Sequence, residues 1–95
     1  MLITDVKIRR TFSEGKLKAI VSVTIDNSLA IHDIRIIHGT DRLFAAMPSR
    51  KDENGIYRDI VHPIDNETRD EFERIILAAY ENYVALESIM SDEQV

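Results

Sequence analysis

The spacing of apolar side chains changes once along this sequence, near Pro63. Before that point apolar and polar residues alternate with a period of two, most regularly over residues 16–26, which is typical of a strand with one face on a core. After it, apolar residues recur with the 3.6-residue period of an amphipathic helix, from about residue 66 to about residue 86. The sequence therefore predicts an α+β fold in which an antiparallel sheet of about five strands precedes one C-terminal helix.

Turn residues separate the predicted strands. Residues 13–15, Ser-Glu-Gly, lie between the first two strands and predict that these pair antiparallel. A fourth strand at residues 43–47 stops before a proline, which has no backbone donor. The polar loop that follows contains Asn54-Gly55, a strong turn signal. We therefore predict a hairpin between the fourth strand and a fifth strand at residues 56–61.

The third predicted strand carries apolar residues at positions of both parities. Leu29 and Ile31 fall on one face of a regular strand, whereas Ile34 and Ile36 fall on the other. One helix covers only one face of a sheet, and a large apolar patch on the second face is unusual for a monomer. The pattern predicts a homodimer, formed by pairing of sheet edges or by packing of sheet faces.

A chain of 95 residues is long enough for one core and too short for two. We predict a single domain over residues 1–86, followed by a short acidic tail at residues 87–95 that is frayed. The sequence has no cysteine, which fits a reducing compartment, and no apolar run of the ~20 residues needed to cross a bilayer. These features predict a cytoplasmic protein that does not act at a membrane.

Few residues favour catalysis. The three histidines match no metal-ligand spacing, no serine has a nucleophile setting, and no glycine-rich phosphate loop is present. We expect no enzyme activity, no catalytic residue, no metal site and no cofactor. A metal-dependent nuclease that uses Asp59, His62 and Asp65 is the enzymatic alternative.

Charge is distributed unevenly. Residues 1–60 hold ten Lys or Arg against eight Asp or Glu, while residues 61–95 hold two against nine, which together make the net charge of −5. A basic loop can still present a positive field beyond the short screening length of physiological salt. The candidate cations for binding phosphate are Arg50, Lys51, Arg58, Lys16 and Lys18.

Four segments carry a resemblance to a known family. They are TDVKIRR at residues 4–10, EGKLKAIVSVTID at 14–26, IHDIRIIHG at 31–39 and LFAAMPSRKDENGIYRDIVHPI at 43–64. The sequence resembles the stage V sporulation protein G family of bacteria, also called septation protein. The resemblance implies a small dimeric α+β protein that binds DNA, and in some members RNA, and regulates sporulation, septation or virulence-linked genes.

The resemblance also assigns residues to binding. The family's basic segment falls on Arg50 and Lys51, a second basic position falls on Arg58, and Arg69 stands where the family tends to have an arginine. The sequence departs from the family in the order Arg50-Lys51 and in having Asp52-Glu53 in place of Thr-Pro, which weakens the local positive field.

Two functions follow from these observations. The first is a homodimeric DNA-binding regulator, also able to bind RNA, of sporulation- or septation-type gene expression. The second is a protein-interaction adaptor in septation that binds a protein partner through the acidic face of the helix. The acidic face consists of Glu67, Asp70, Glu71 and Glu81.

Overall fold

The computed structural model describes the backbone of residues 2–93 and the side chains of residues 2–89. Its elements, in chain order, are β1 (Ile3–Thr11), β2 (Leu17–Ile25), β3 (Leu29–His38), β4 (Leu43–Ala46), β5 (Ser49–Lys51), β6 (Tyr57–Asp59) and α1 (Asn66–Glu93). Strands β1 to β4 form one antiparallel sheet in that order, and β5 and β6 form a separate two-stranded sheet. The α+β fold is confirmed, whereas dimerisation stays a prediction.

The core lies between one face of the four-stranded sheet and α1. The alternation predicted for β2 is confirmed for its apolar residues, because Val21 and Val23 are fully buried in the core. Ser22 between them is also buried, but it is hydrogen-bonded with Arg9 and His32 and is not part of the core. On the helix, Phe72 and Ile76 are buried against the sheet. Each fully buried aliphatic side chain contributes about 1.5 to 3 kcal/mol to folding.

A β-bulge in β3 explains its mixed apolar pattern. Val21 pairs with Ile34 and Val23 pairs with Ile31, so β3 has one residue more than β2 across this step. Asp33 lies in the bulge with φ of 62°, a conformation that Asp tolerates better than most residues. The bulge brings Ile31, Ile34 and Ile36 to the same face of the sheet. The prediction that these residues divide between two faces was therefore wrong.

The second hairpin differs from the predicted one. β4 pairs with β3 inside the main sheet, and β5 pairs with β6 across the Asn54-Gly55 turn. Residues 49–51, which we expected in a loop, form the strand β5. Pro48 ends β4 as expected, and its carbonyl then accepts the N–H of Ile60 at 2.8 Å, which ties the base of the hairpin to the sheet.

The helix begins as expected but ends later. Asp65 is the N-cap, because its carboxylate accepts the backbone N–H of Thr68 at 2.7 Å and the Thr68 hydroxyl at 3.0 Å. The helix then continues to Glu93. This end lies beyond the predicted one near residue 86, and no glycine or proline follows Pro63 to stop the helix. The frayed acidic tail at residues 87–95 stays a prediction. Residues 94–95 lie outside the described residues, and the single domain at 1–86 stays a prediction.

The C-terminal part of α1 extends beyond the core. The last helical side chain that packs against the core is Tyr80, and residues 81–89 are all exposed. Several of these exposed side chains are apolar, namely Tyr83, Val84, Leu86 and Ile89. Within the described part of the chain, no helix is long and apolar enough to span a membrane.

Candidate nucleic-acid interface

The β5–β6 hairpin, residues 49–59, is organised by its turn rather than by burial. The N–H of Asp52 donates to Ile56 O at 2.9 Å, and the N–H of Gly55 donates to Asp52 O at 3.1 Å. The Asp52 carboxylate accepts two further backbone N–H groups, from Asn54 at 2.8 Å and from Ile56 at 3.0 Å. Gly55 has φ of 81°, which explains why glycine stands there. The turn thus holds both short strands in register.

Basic side chains occupy facing positions on the hairpin. Arg50 pairs with Arg58 and Lys51 pairs with Tyr57 across the two strands. The ammonium of Lys51 lies 5.9 Å from the centre of the Tyr57 ring, within the range of a cation–π contact. Arg50 and Lys51 are exposed, and among the described side chains neither forms an ion pair.

Arg58 differs from its neighbour Arg50 because it has a carboxylate partner. Its Nε donates to Asp52 Oδ2 at 2.7 Å. This hydrogen bond from Arg58, together with the backbone N–H of Ile56, lowers the pKa of Asp52. The ion pair reduces the like-charge repulsion between the facing arginines, and it also offsets part of the positive charge that Arg58 offers to a ligand.

Arg69 joins the hairpin cations from the first turn of α1. Arg58 and Arg69 line one open depression of about 550 Å³ together with Tyr57, Asp59 and His62. A second depression, of about 590 Å³, shares Arg58 and Asp59 with the first and is also lined by Arg50 and Lys51. Four of the six predicted binding residues therefore border two adjoining open surfaces. We call this set, Arg50, Lys51, Arg58 and Arg69, the hairpin cluster.

Lys16 and Lys18 are not part of the hairpin cluster. The carbonyl of Lys16 accepts the N–H of His38 at 2.8 Å, which places it at the C-terminal end of β3. The base of the hairpin lies beside residues 29–33, at the other end of that strand. At about 3.3 Å per residue the two ends are separated by roughly 15 to 20 Å. These two lysines belong to a different surface.

Sequence analysis did not single out four other basic residues, Lys7, Arg9, Arg10 and Arg35. All four are exposed and lie on β1 and β3. The period-two alternation could have identified these residues, because successive residues of a strand point to opposite faces of the sheet. A charged residue next to a core-facing residue therefore lies on the face away from the core.

The residues of the nuclease alternative have structural contacts. Asp65 caps the helix, and its pKa is lowered by the hydrogen bonds from Thr68. The Nδ1 atom of His62 lies 2.9 Å from Pro63 O. Among the described residues, no group of three or more His, Asp or Glu side chains is arranged to hold a metal ion.

Comparison with known proteins identifies the family. The sequence matches the family model of SpoVG over residues 1–82. The chain belongs to the SpoVG family. The SpoVG septation protein of Lachnospira eligens is 54% identical over 81 residues, which are 85% of this chain and 92% of that relative. The one of Clostridium kluyveri is 50% identical over 95 residues, which are 100% of this chain and 98% of that relative.

The match to SpoVG confirms the family resemblance and covers the whole hairpin cluster. It stops at residue 82, where the exposed part of α1 begins. The SpoVG relatives are named for septation, and this name describes a process rather than a ligand.

Proposed function

We propose that this SpoVG-family protein is a homodimeric regulator of sporulation- or septation-type gene expression that binds DNA, with RNA as a second ligand. The observation that carries the proposal is the hairpin cluster, in which four cations from β5, β6 and α1 border open surfaces. Phosphate groups bind such cations by displacing condensed counterions, and this term dominates nucleic-acid affinity.

The cations of the hairpin cluster contribute unequally. Arg50 and Lys51 are exposed and have no carboxylate partner among the described side chains, so their charge is available to a phosphate. Arg58 shares its charge with Asp52 at 2.7 Å. We expect Arg50 and Lys51 to supply most of the binding and Arg58 to supply less, because a phosphate must compete with Asp52 for its guanidinium.

Exposed apolar residues support the dimer. Tyr83 and Val84 lie on the part of α1 beyond the core, and Leu86 is 57% exposed there. A two-fold contact between such helix ends would remove these side chains from water. It would also present the hairpin cluster twice, and two copies of a weak cluster bind one nucleic acid more tightly than either does alone.

The test is a titration of a labelled DNA duplex with the wild type and with Arg50→Ala/Lys51→Ala, repeated over a range of salt concentrations. We expect the double variant to lose at least about tenfold in affinity at low salt. We also expect the slope of log affinity against log salt to fall by about 2 for each protomer in contact.

A matched control separates this effect from net charge. Arg42→Ala/Arg74→Ala also removes two cations, but Arg74 is an exposed helix residue outside the cluster and Arg42 is already paired with Glu73. We expect this control to bind DNA with nearly wild-type affinity. Equal losses in the two double variants, or no loss in either, would contradict the assignment of the site.

Removing one carboxylate should change DNA affinity in the opposite direction. Asp52→Asn removes the partner of Arg58 and leaves a side chain oxygen that can still accept a backbone N–H in the turn. Because one negative charge leaves the cluster, we expect DNA affinity to rise about two- to fivefold, in line with the small energy of an exposed ion pair. Unchanged or weaker binding would mean that Arg58 does not face the nucleic acid.

The adaptor function keeps one specific observation in its favour. The acidic face residues Glu67, Asp70, Glu71 and Glu81 are all exposed, and none forms an ion pair with a described side chain. A basic protein surface would complement this face. The adaptor function predicts no retention of DNA or RNA at about 50 mM salt, together with loss of a protein partner when the four carboxylates are changed to amides.

A further inference from the structure

The face of the four-stranded sheet that points away from α1, which we call the outer sheet face, carries basic residues of β1 and β3. Paired residues of antiparallel strands share a face. Ser22 and Ile20 alternate with the core residues of β2, and their partners are Lys7 on β1 for Ser22, and Arg10 on β1 and Arg35 on β3 for Ile20. Two strands thus contribute cations to one surface, one on each side of β2.

A fourth cation reaches the same face. Arg9 lies at a register shift of β1. The Nε of Arg9 donates to Ser22 Oγ at 3.1 Å, and Ser22 Oγ lies 2.8 Å from His32 Nδ1. Among the described side chains, none of these four cations forms an ion pair. Asp5 shares this face by its pairing with Thr24, and Asp33 lies in the bulge of β3 opposite Ser22.

Apolar and aromatic side chains separate these cations. Ile37 pairs with Phe44, and neither residue is among those that pack against the core. The Phe44 ring is held in place by Gly39, where an added Cβ would come within 3.1 Å of a ring carbon. A second ring, Phe12, has the guanidinium of Arg10 at 5.0 Å from its centre. Both aromatic residues are half-buried.

The composition of the outer sheet face selects its ligand. A second copy packed face to face around a two-fold axis would set four cations against the same four, which opposes such a dimer. A negatively charged polymer complements them. Aromatic rings on an open sheet can stack on bases only if those bases are free of a duplex, as in single strands.

We propose that the outer sheet face binds single-stranded nucleic acid, with cations such as Lys7, Arg10 and Arg35 on the phosphates and the Phe44 ring stacked on a base. The proposal rests on the nucleic-acid function proposed above and adds to it a second surface with a different ligand form. The hairpin cluster and the outer sheet face have no residue in common.

The test measures binding of a labelled thymidine dodecamer and of a duplex of the same length, by fluorescence anisotropy on the full chain. Phe44→Leu removes the ring and retains most of the side chain volume. We expect it to weaken single-strand binding at least about fivefold, as loss of one base stack does, and to leave duplex binding within twofold. Thermal unfolding followed by circular dichroism checks that the variant is folded.

A second variant leaves the hydrophobic core unchanged. Arg10→Ala/Arg35→Ala removes two exposed cations, and we expect a loss of single-strand affinity with a lower salt slope, while Arg42→Ala/Arg74→Ala serves again as the charge control. Wild-type single-strand binding in both outer-face variants would overturn the proposal. So would a change of oligomeric state in sedimentation without a change in binding, because that result would assign the face to a second copy.

The same measurements distinguish this proposal from the one it rests on. If the proposal for the outer sheet face is wrong, Phe44→Leu binds the single strand as tightly as the wild type does. If the proposal for the hairpin cluster is wrong, Arg50→Ala/Lys51→Ala binds the duplex as tightly as the wild type does. The two failures involve different variants and different ligands.

Discussion

The four-stranded sheet and the β5–β6 hairpin are both antiparallel, but only the sheet has a buried face. Among the described residues, the largest fully buried side chains come from β2, β3 and α1. In the hairpin every residue of β6 is exposed, and no residue of β5 or β6 belongs to the core. The sheet is held together by packing, whereas the hairpin is held together by the backbone and carboxylate hydrogen bonds of its turn.

This difference indicates where cations for binding can be placed with little loss of folding free energy. A cation in a core must lose its hydration, whereas a cation on the hairpin keeps it until a phosphate replaces the water. The outer sheet face is an intermediate case, because its cations share strands with the core but project from the opposite side. We therefore expect stability and the proposed binding to respond to different residues, and variants of each region can test that separation.

The largest expected effect is in the core. Ile34 is completely buried between β2 and α1, so Ile34→Ala should lower the free energy of unfolding by about 2 to 5 kcal/mol. Denaturant unfolding followed by circular dichroism measures this loss. The remaining folded protein should bind a DNA duplex as the wild type does, since Ile34 is a core residue and not a member of the hairpin cluster.

The matched control is Ile60→Ala at the base of the hairpin. The Ile60 side chain is 67% exposed, so its removal should change the free energy of unfolding by less than about 0.5 kcal/mol. A loss above about 1 kcal/mol at Ile60 would mean that this side chain is packed in solution. The comparison between a buried sheet and an unburied hairpin would then break down.

A smaller effect is expected at the hairpin turn. Gly55 has φ of 81° and no close neighbour except Lys51 Cε at 3.6 Å, so Gly55→Ala has a backbone cost of about 1 to 2 kcal/mol without a clash. In the Gly55→Ala variant we expect faster hydrogen exchange at the backbone amides of residues 52 and 55 than in the wild type. The midpoint of global unfolding should not change. Gly15, in the β1–β2 turn, has φ of 83°. The backbone cost of Gly15→Ala should therefore lower the midpoint of global unfolding.

If Gly55→Ala lowers the global midpoint as much as Gly15→Ala, the hairpin unfolds together with the sheet. That outcome would mean that the sheet and the hairpin form one cooperative unit and not two independently stable regions.

The sequence allowed the sheet and helix to be predicted because their residues repeat a pattern. Alternate residues of β2, from Ala19 to Ile25, are buried apolar side chains, and Phe72 and Ile76 lie one turn apart on α1. The bulge at Asp33 was missed because it depends on how β3 pairs with β2, which no local pattern encodes. The end of α1 was missed because the sequence after Pro63 contains no residue that stops a helix.

The candidate site was predictable in composition and not in geometry. Basic residues and a turn signal at Asn54-Gly55 marked the hairpin, but strands of three residues are too short to show a period, so β5 was assigned to a loop. The pairing of Arg58 with Asp52 follows from the fold of the turn. The outward cations of β1 and β3 were visible in the alternation and needed the sheet order to bring them together.

The smallest expected effect is the response of the hairpin to acid. The pKa of Asp52 lies below its ordinary value of 3.8, mainly because of the hydrogen bond from Arg58. Between these two values the closed hairpin binds fewer protons than the open one. The stabilisation is thus complete above the ordinary pKa and is lost as the pH falls through the lowered one. Nuclear magnetic resonance should show the Asn54 and Ile56 amide signals moving toward unstructured positions on acidification.

The helix provides the comparison for this titration. Asp65 also has a lowered pKa, caused by hydrogen bonds from Thr68, so the same acid weakens the first turn of α1. Phe72 and Ile76 keep the rest of that helix on the sheet by burial, which does not titrate. The Val21 amide should therefore stay in place while the hairpin amides move. In Asp52→Asn the hairpin signals should no longer respond to acid, and a response that persists in this variant would mean that another group holds the turn.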